Sequence, residues 1–208
     1  MNFTVILAHP NPGSFNHAIA DEVTATLREN GHTVTVHDLY AERFDPLLPS
    51  DEIPREAALP CAIAGHCKEI AGADGIVFVH PDWWGMPPAI LKGWIDRVLR
   101  PGVAYRFEET DSGEGIPVGL LKARAVIVFN TSNTSAQREQ KIFGDPLERI
   151  WKDCIVSFCG VPVCHRRMFG IIVTSTAEQR KAWLEEVKVL TRSTFPGPEV
   201  QAAHFHSA

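Results

Sequence analysis

The chain has 208 residues, 45% of them hydrophobic, enough to bury one sizeable core as a single domain. Lys and Arg number 20 against 25 Asp and Glu, a formal net charge of -5 with the basic residues scattered, which argues against nucleic acid and anionic membrane as partners. No apolar run reaches the roughly 20 residues of a membrane span, so no stable membrane insertion is expected.

Phe3 to Leu7 (FTVIL) reads as a first strand, followed by a turn rich in Pro, Asn and Gly over Ala8 to Ser14. A helix runs on to about Asn30, with Ile19, Val23 and Leu27 on one face and Gly31 as its stop. Thr33 to Val36 is a second strand. Leu39 to Pro60 holds four prolines and forms an irregular excursion, with a short helix after it to about Ala71. Gly75 to Val79 (GIVFV) has the apolar, β-branched character of a strand buried on both faces. The turn HPDWWGMPP leads into a helix whose apolar stripe is Ile90, Leu91, Trp94, Ile95, Val98 and Leu99.

Arg100 to Leu121 is a second long connection, read as a mobile flap with DSGEG at its tip. Ala125 to Phe129 (AVIVF) is a fourth strand, followed by the polar loop NTSNTSAQREQ. Leu147, Ile150, Trp151, Cys154, Ile155 and Phe158 mark an amphipathic helix, and Val161 to Val173 contains a fifth strand. Ser175-Thr-Ala-Glu178 has capping-box spacing and opens a last helix, to about Leu190. The domain is read as residues 1–194, with a loose tail from Phe195 onward.

Strands alternating with helices imply right-handed crossovers and a doubly wound α/β domain, a parallel sheet with helices on both faces. With five strands and no G-x-G-x-x-G, the flavodoxin-like order 2-1-3-4-5 is favoured over a longer dinucleotide-binding sheet. The start, MNFTVILAHPNPG, has no basic leader, and the five cysteines form no C-x-x-C pair; reduced thiols in a cytoplasmic protein are expected.

In an open parallel sheet, ligands bind outside the carboxyl ends of the strands, and three loops there carry chemistry. The turn after strand one, with His9, Gly13, Ser14, Phe15 and Asn16, presents a helix N-terminus and side-chain donors suited to a phosphate. After strand three, Pro81, Asp82, Trp83, Trp84 and Gly85 offer either flat walls for a ring or a plug on the core. Trp94, inside the helical stripe, reads as core. After strand four, Asn130, Thr131, Ser132 and Asn133 supply a polar rim. The three together describe a flavin mononucleotide moiety better than any one does.

These residues resemble a family, the flavodoxin-like NAD(P)H:quinone oxidoreductases, which also contains the oxidoreductase subunits of glutathione-regulated potassium efflux systems. The resemblance rests on AHPNPGSFN, on P-x-W-W-G-M-P-P-A-I-L-K-G-W-I-D-R-V and on G-x-A-Y-R-F, and extends from Phe3 to about Phe169. It implies a homodimer binding FMN or FAD, with NAD(P)H as hydride donor and a quinone-like acceptor entering between subunits. The His9, Ser14, Phe15 and Asn16 turn would hold the flavin phosphates and ribityl, Pro81 to Gly85 would line the isoalloxazine, and Asn130 to Asn133 would meet its polar edge. The family's T-T-G-G loop is N-T-S-N here. Its tyrosine and histidine fall near Gln137 and Phe143, neither of which can act as acid or base, so the catalytic residues stay open. The resemblance also implies the alternative of a flavin-binding regulatory subunit of a potassium efflux system.

A hydrolase is disfavoured for want of a G-x-S-x-G elbow, and a one-electron flavodoxin carrier because such chains are shorter, more acidic and lack a flap. Cys154, Cys159 and Cys164 read as buried small hydrophobes, and His66 beside Cys67 lacks partners at metal spacing, so no metal is expected.

Overall fold

Alternation along the strands sorts the core into two layers. Phe3, Val5, Val77, Val79, Ile127 and Phe129 face one way and pack with Ile19, Val23, Leu27 and Val187. Ile6, Ile76, Phe78, Val126 and Val128 face the other and pack with Ile63, Ile70, Leu91, Trp94 and Trp151. The computed structural model describes residues 1–108 and 115–197. Its strands are β1 (Asn2–Leu7), β2 (Thr33–Asp38), β3 (Gly75–Pro81), β4 (Tyr105–Glu108), β5 (Ile116–Gly119), β6 (Val126–Thr131) and β7 (Cys164–Phe169). Its helices are α1 (Phe15–Glu29), α2 (Cys61–Gly72), α3 (Ala89–Val98), α4 (Ala136–Arg138), α5 (Pro146–Arg149) and α6 (Ala177–Thr194).

The main sheet is parallel, in the order β2-β1-β3-β6-β7, which is the expected 2-1-3-4-5 once β4 and β5 are set aside. Those two pair antiparallel as a separate hairpin within the long connection read as a flap. Most of the DSGEG tip lies outside the described residues. α1 and α6 cover one face of the sheet; α2, α3 and the segment around Trp151 cover the other.

Three local expectations are corrected. After α5 the chain winds as a π-helix over Ile150–Ser157, so the inward positions step by five residues, from Trp151 to Val156. Cys154 therefore faces solvent instead of joining Cys159 in the core, and Cys164 is half-buried. The capping box of α6 is Thr176 with Gln179, one residue beyond the Ser175–Glu178 pair, because Ser175 is engaged with Ile172 and Arg180. Phe195 is core: its ring packs edge-on to Phe3 at 4.7 Å, and its carbonyl accepts from Asn30 Nδ2. The rest of the expected tail, residues 198–208, lies outside the described residues.

Candidate functional site

The carboxyl ends of β1, β3, β6 and β7 open onto a cavity of ≈ 880 Å³. Its first wall is the turn into α1. Ser14 stands at the N-cap in extended backbone, yet its side chain makes no capping bond. Its hydroxyl instead meets His17 Nδ1 at 2.9 Å. No side chain therefore caps the first turn, whose His17 N–H turns back to the Ser14 carbonyl, and His9, Gly13, Phe15 and Asn16 line the cavity beside it. Gly13 has φ +77, and a side chain there would point into open space. Asn16 donates through Nδ2 to Thr131 Oγ1 at 2.9 Å, leaving its buried Oδ1 without a partner. His9 Nδ1 lies 3.1 Å from Asn11 N and 3.3 Å from the Asn11 carbonyl oxygen. Burial lowers the His9 pKa, outweighing the backbone contact with Asn11 that raises it.

The second wall is the Trp83–Trp84 turn. Trp83 and Met86 exchange backbone hydrogen bonds, and Trp84 and Gly85 between them both take positive φ, +61 and +69. This is the mirror-image turn that needs left-handed backbone at both centres. Asp82 Oδ1 steadies it by accepting from Gly85 N–H at 3.0 Å. Trp84 in that conformation carries backbone strain of order 1–3 kcal/mol, a cost that clusters at functional sites. Neither ring plugs the core: Trp83 is 41% exposed and Trp84 fully exposed, while Trp94 is wholly buried.

The third wall corrects one expectation. Thr131, Ser132 and Asn133 line the cavity, but Asn130 does not. Side chains alternate along β6, and Thr131 points to Asn16, so Asn130 points to the opposite layer. There it is fully buried with both amide atoms unpartnered. Asn133 Oδ1 is occupied by Val173 N–H at 3.0 Å. Gln137 lies in a separate shallow hollow, whereas the Phe143 ring lines the cavity.

Sequence reading missed Glu139, Pro146, Ile172, Val173 and Arg180, all of which line the cavity. Ile172 and Val173 follow β7 on the same sheet edge, so the strand-end rule that selected the other loops would have found them. Arg180 comes from α6, one turn before Trp183, whose ring packs on Phe15. Its guanidinium lines the cavity while donating to the Ser175 hydroxyl and carbonyl.

Asp82 and Glu139 are the carboxyl groups of the lining. Burial raises both pKa values, and Glu139 is raised further by Asp82 and Asp145. Below them the buried Arg166 binds Asp145 at 2.7 Å and Glu148 at 3.1 Å. Beneath the turn, His80 Nε2 accepts from Trp151 Nε1–H at 3.0 Å, and its Nδ1 donates to the Pro81 carbonyl at 2.8 Å.

Burial lowers the His80 pKa to about 4 and that of His66 to about 4. Below the unfolded value of about 6.5 the unfolded chain binds these protons and the folded chain does not, so stability is lost as pH falls. Urea unfolding should show stability dropping from pH 6.5 toward 5, by up to about 1.4 kcal/mol per pH unit for each group. A flat profile over that range would mean that neither ring is held neutral.

The fold matches what comparison with other proteins finds. A family described as having a flavodoxin-like fold matches residues 1–190. The chain belongs to the flavodoxin-like NAD(P)H oxidoreductase family. One member, a Haemophilus influenzae protein named an uncharacterized NAD(P)H oxidoreductase, is 36% identical over 89% of this chain and 91% of its own length. The human ribosyldihydronicotinamide dehydrogenase [quinone] is 27% identical over 97% and 96%. Among solved structures, that of Smu.1420 from Streptococcus mutans superposes with a TM-score of 0.79 at 29% identity, covering 93% of this chain and 100% of that one. This flavodoxin-like protein is an oxidoreductase, and among its described residues no helix is long and apolar enough to cross a membrane.

Proposed function

We propose that the chain binds FMN or FAD in this cavity and passes two electrons from NAD(P)H to a quinone or similar flat acceptor. The observation that carries the reading is the uncapped first turn of α1, with the orphaned Asn16 Oδ1 beside it. A helix start whose own cap residue does not close it favours an anion, and a buried carbonyl oxygen needs a donor such as a sugar-alcohol hydroxyl. Names of family relatives that include NAD(P)H and quinone support the substrate classes.

When bound, the flavin supplies the hydride chemistry. The residues around it bind and orient. The Ser14 turn and Arg180 hold negative charge at one end; Thr131, Ser132 and Asn133 present polar groups along one edge. Trp83, Trp84 and Phe143 give the open face an apolar frame on which a nicotinamide or a quinone can stack. One open face must serve both substrates in turn, which gives ping-pong kinetics with parallel double-reciprocal lines. Trp83, Trp84 and Phe143 line the cavity and are exposed, an apolar surface suited to a second copy of the chain.

The purified protein should be yellow, or become so with FMN or FAD. If neither flavin binds tighter than about 10 μM, roughly -7 kcal/mol, the reading fails. In stopped-flow measurements Trp84→Ala should slow flavin reduction by NAD(P)H by on the order of tenfold, through lost orientation. Gln137→Ala, outside the cavity, should leave that rate unchanged. The reverse pattern would put the loop after β6 at the chemical centre.

A further inference from the structure

In sequence His66 has no metal-binding partner, but the fold brings it two from another element. β2 ends in His37 and Asp38, the turn after it carries Glu42, and α2 presents His66 and Glu69 three residues apart on one face. The His37 and His66 rings lie 4.1 Å apart, centroid to centroid. His37 Nδ1 is 2.9 Å from Glu42 Oε1, and His66 Nε2 is 3.7 Å from Glu42 Oε2. One ligand atom from each of the three lies within 4.8 Å of the others.

We propose that His37, Glu42 and His66 form a site for a divalent transition-metal ion of the zinc type, with Glu69 orienting His37. A tetrahedral ion with bonds of about 2.0–2.2 Å sets its ligand atoms roughly 3.3–3.5 Å apart. Glu42 meets His37 through Oε1 and His66 through Oε2, and one ligand atom from each of the three residues lies within 4.8 Å of the others, so rotation of the exposed Glu42 side chain has to draw the set in to that spacing. Glu69 Oε2 lies 2.6 Å from His37 Nε2. A carboxylate there accepts a hydrogen bond from Nε2–H and leaves the Nδ1 lone pair for a metal, the arrangement that metal-bound histidines use. His37 thus has a carboxylate against each of its ring nitrogens.

Two imidazoles and one carboxylate favour zinc, copper or nickel over calcium and magnesium, which take oxygen sets. The cluster lines a hollow of ≈ 680 Å³, which leaves a fourth position to water and gives an ion a way in. Arg97 also lines it, but its guanidinium is committed to Glu52 and the Asp45 carbonyl. One contact has to yield. Trp94 Nε1–H donates to His66 Nδ1 at 3.3 Å, and ligation through Nε2 moves the ring proton to Nδ1 and breaks that long bond. The affinity expected is therefore micromolar. Bound metal would tie the end of β2 to α2.

The test uses the full chain in a His204→Ala/His206→Ala background, which removes the imidazoles of the C-terminal segment as competing ligands. Titrated with zinc in a calorimeter, it should bind one ion with a Kd on the order of 1–10 μM. Its Tm should rise with zinc and return on adding a chelator. His37→Ala and Glu42→Gln should each weaken binding at least tenfold, and Glu69→Gln by about 10–100-fold. Glu42 sits in a surface turn, so circular dichroism should show the Glu42→Gln variant folded as the parent is. Zinc binding that survives both His37→Ala and Glu42→Gln overturns the proposal, as does a parent chain that binds no tighter than about 100 μM. The flavin reading stands or falls separately, by the visible spectrum.

Discussion

Replacing Ser14 with aspartate is expected to weaken FMN or FAD binding by on the order of a thousandfold while leaving the protein as stable as before, or more so. The two effects have opposite signs because one carboxylate meets two environments. At an N-cap, Asp serves as well as Ser and interacts favourably with the helix dipole. Against a bound phosphate the same carboxylate is a like charge, and two unit charges about 4 Å apart at an effective dielectric of 20 repel by about 4 kcal/mol. Ser14→Ala removes a hydroxyl that caps nothing in this structure, so its effect on stability should be small and on affinity about tenfold or less. Fluorescence titration with each flavin, beside a thermal melt, separates these outcomes. Unchanged affinity in Ser14→Asp would move the phosphate away from this turn.

Glu52→Ala is expected to cost about 3–5 kcal/mol, the largest single loss from any ion pair among the described residues. Glu52 and Arg97 are both nearly inaccessible, and the guanidinium grips the carboxylate at two points, Nε to Oε2 at 3.0 Å and Nη2 to Oε1 at 2.5 Å. Removing the acid strands a buried positive charge and frees the segment around residues 45–54 that the guanidinium clamps to α3. For a domain of this length the fall in Tm should be roughly 10 °C. Asp96→Ala breaks the exposed Lys92–Asp96 pair one turn apart on the same helix and should cost only about 0.3–0.5 kcal/mol. A differential scan in which the two variants melt together would show that the Glu52–Arg97 pair does not hold the excursion in place.

That excursion shows how local periodicity runs out. Residues 39–60 carry four prolines and no repeat, so nothing in their order signals that Glu52 will meet Arg97, 45 positions away. The π-helical winding after α5 is similar: an ordinary helical period assigns Cys154 to the core, and only packing selects the step from Trp151 to Val156.

What the sequence determined by itself is the sheet and the edge on which the candidate site sits. Runs such as FTVIL, GIVFV and AVIVF can satisfy apolar side chains on both faces only inside a parallel sheet. The right-handed crossover then places their following loops on one side. The Ser14, Trp83–Trp84 and Thr131–Asn133 loops converge on one cavity for that reason. Tertiary structure alone decided the direction and company of single side chains. Asn130 turns away from the cavity because alternation gives the inward place to Thr131, while Arg180 and Glu139 enter it from elements whose own sequence carries no ligand pattern. His37 and His66 become neighbours because α2 returns over the sheet face beside the end of β2, a contact across 29 residues that no local spacing encodes.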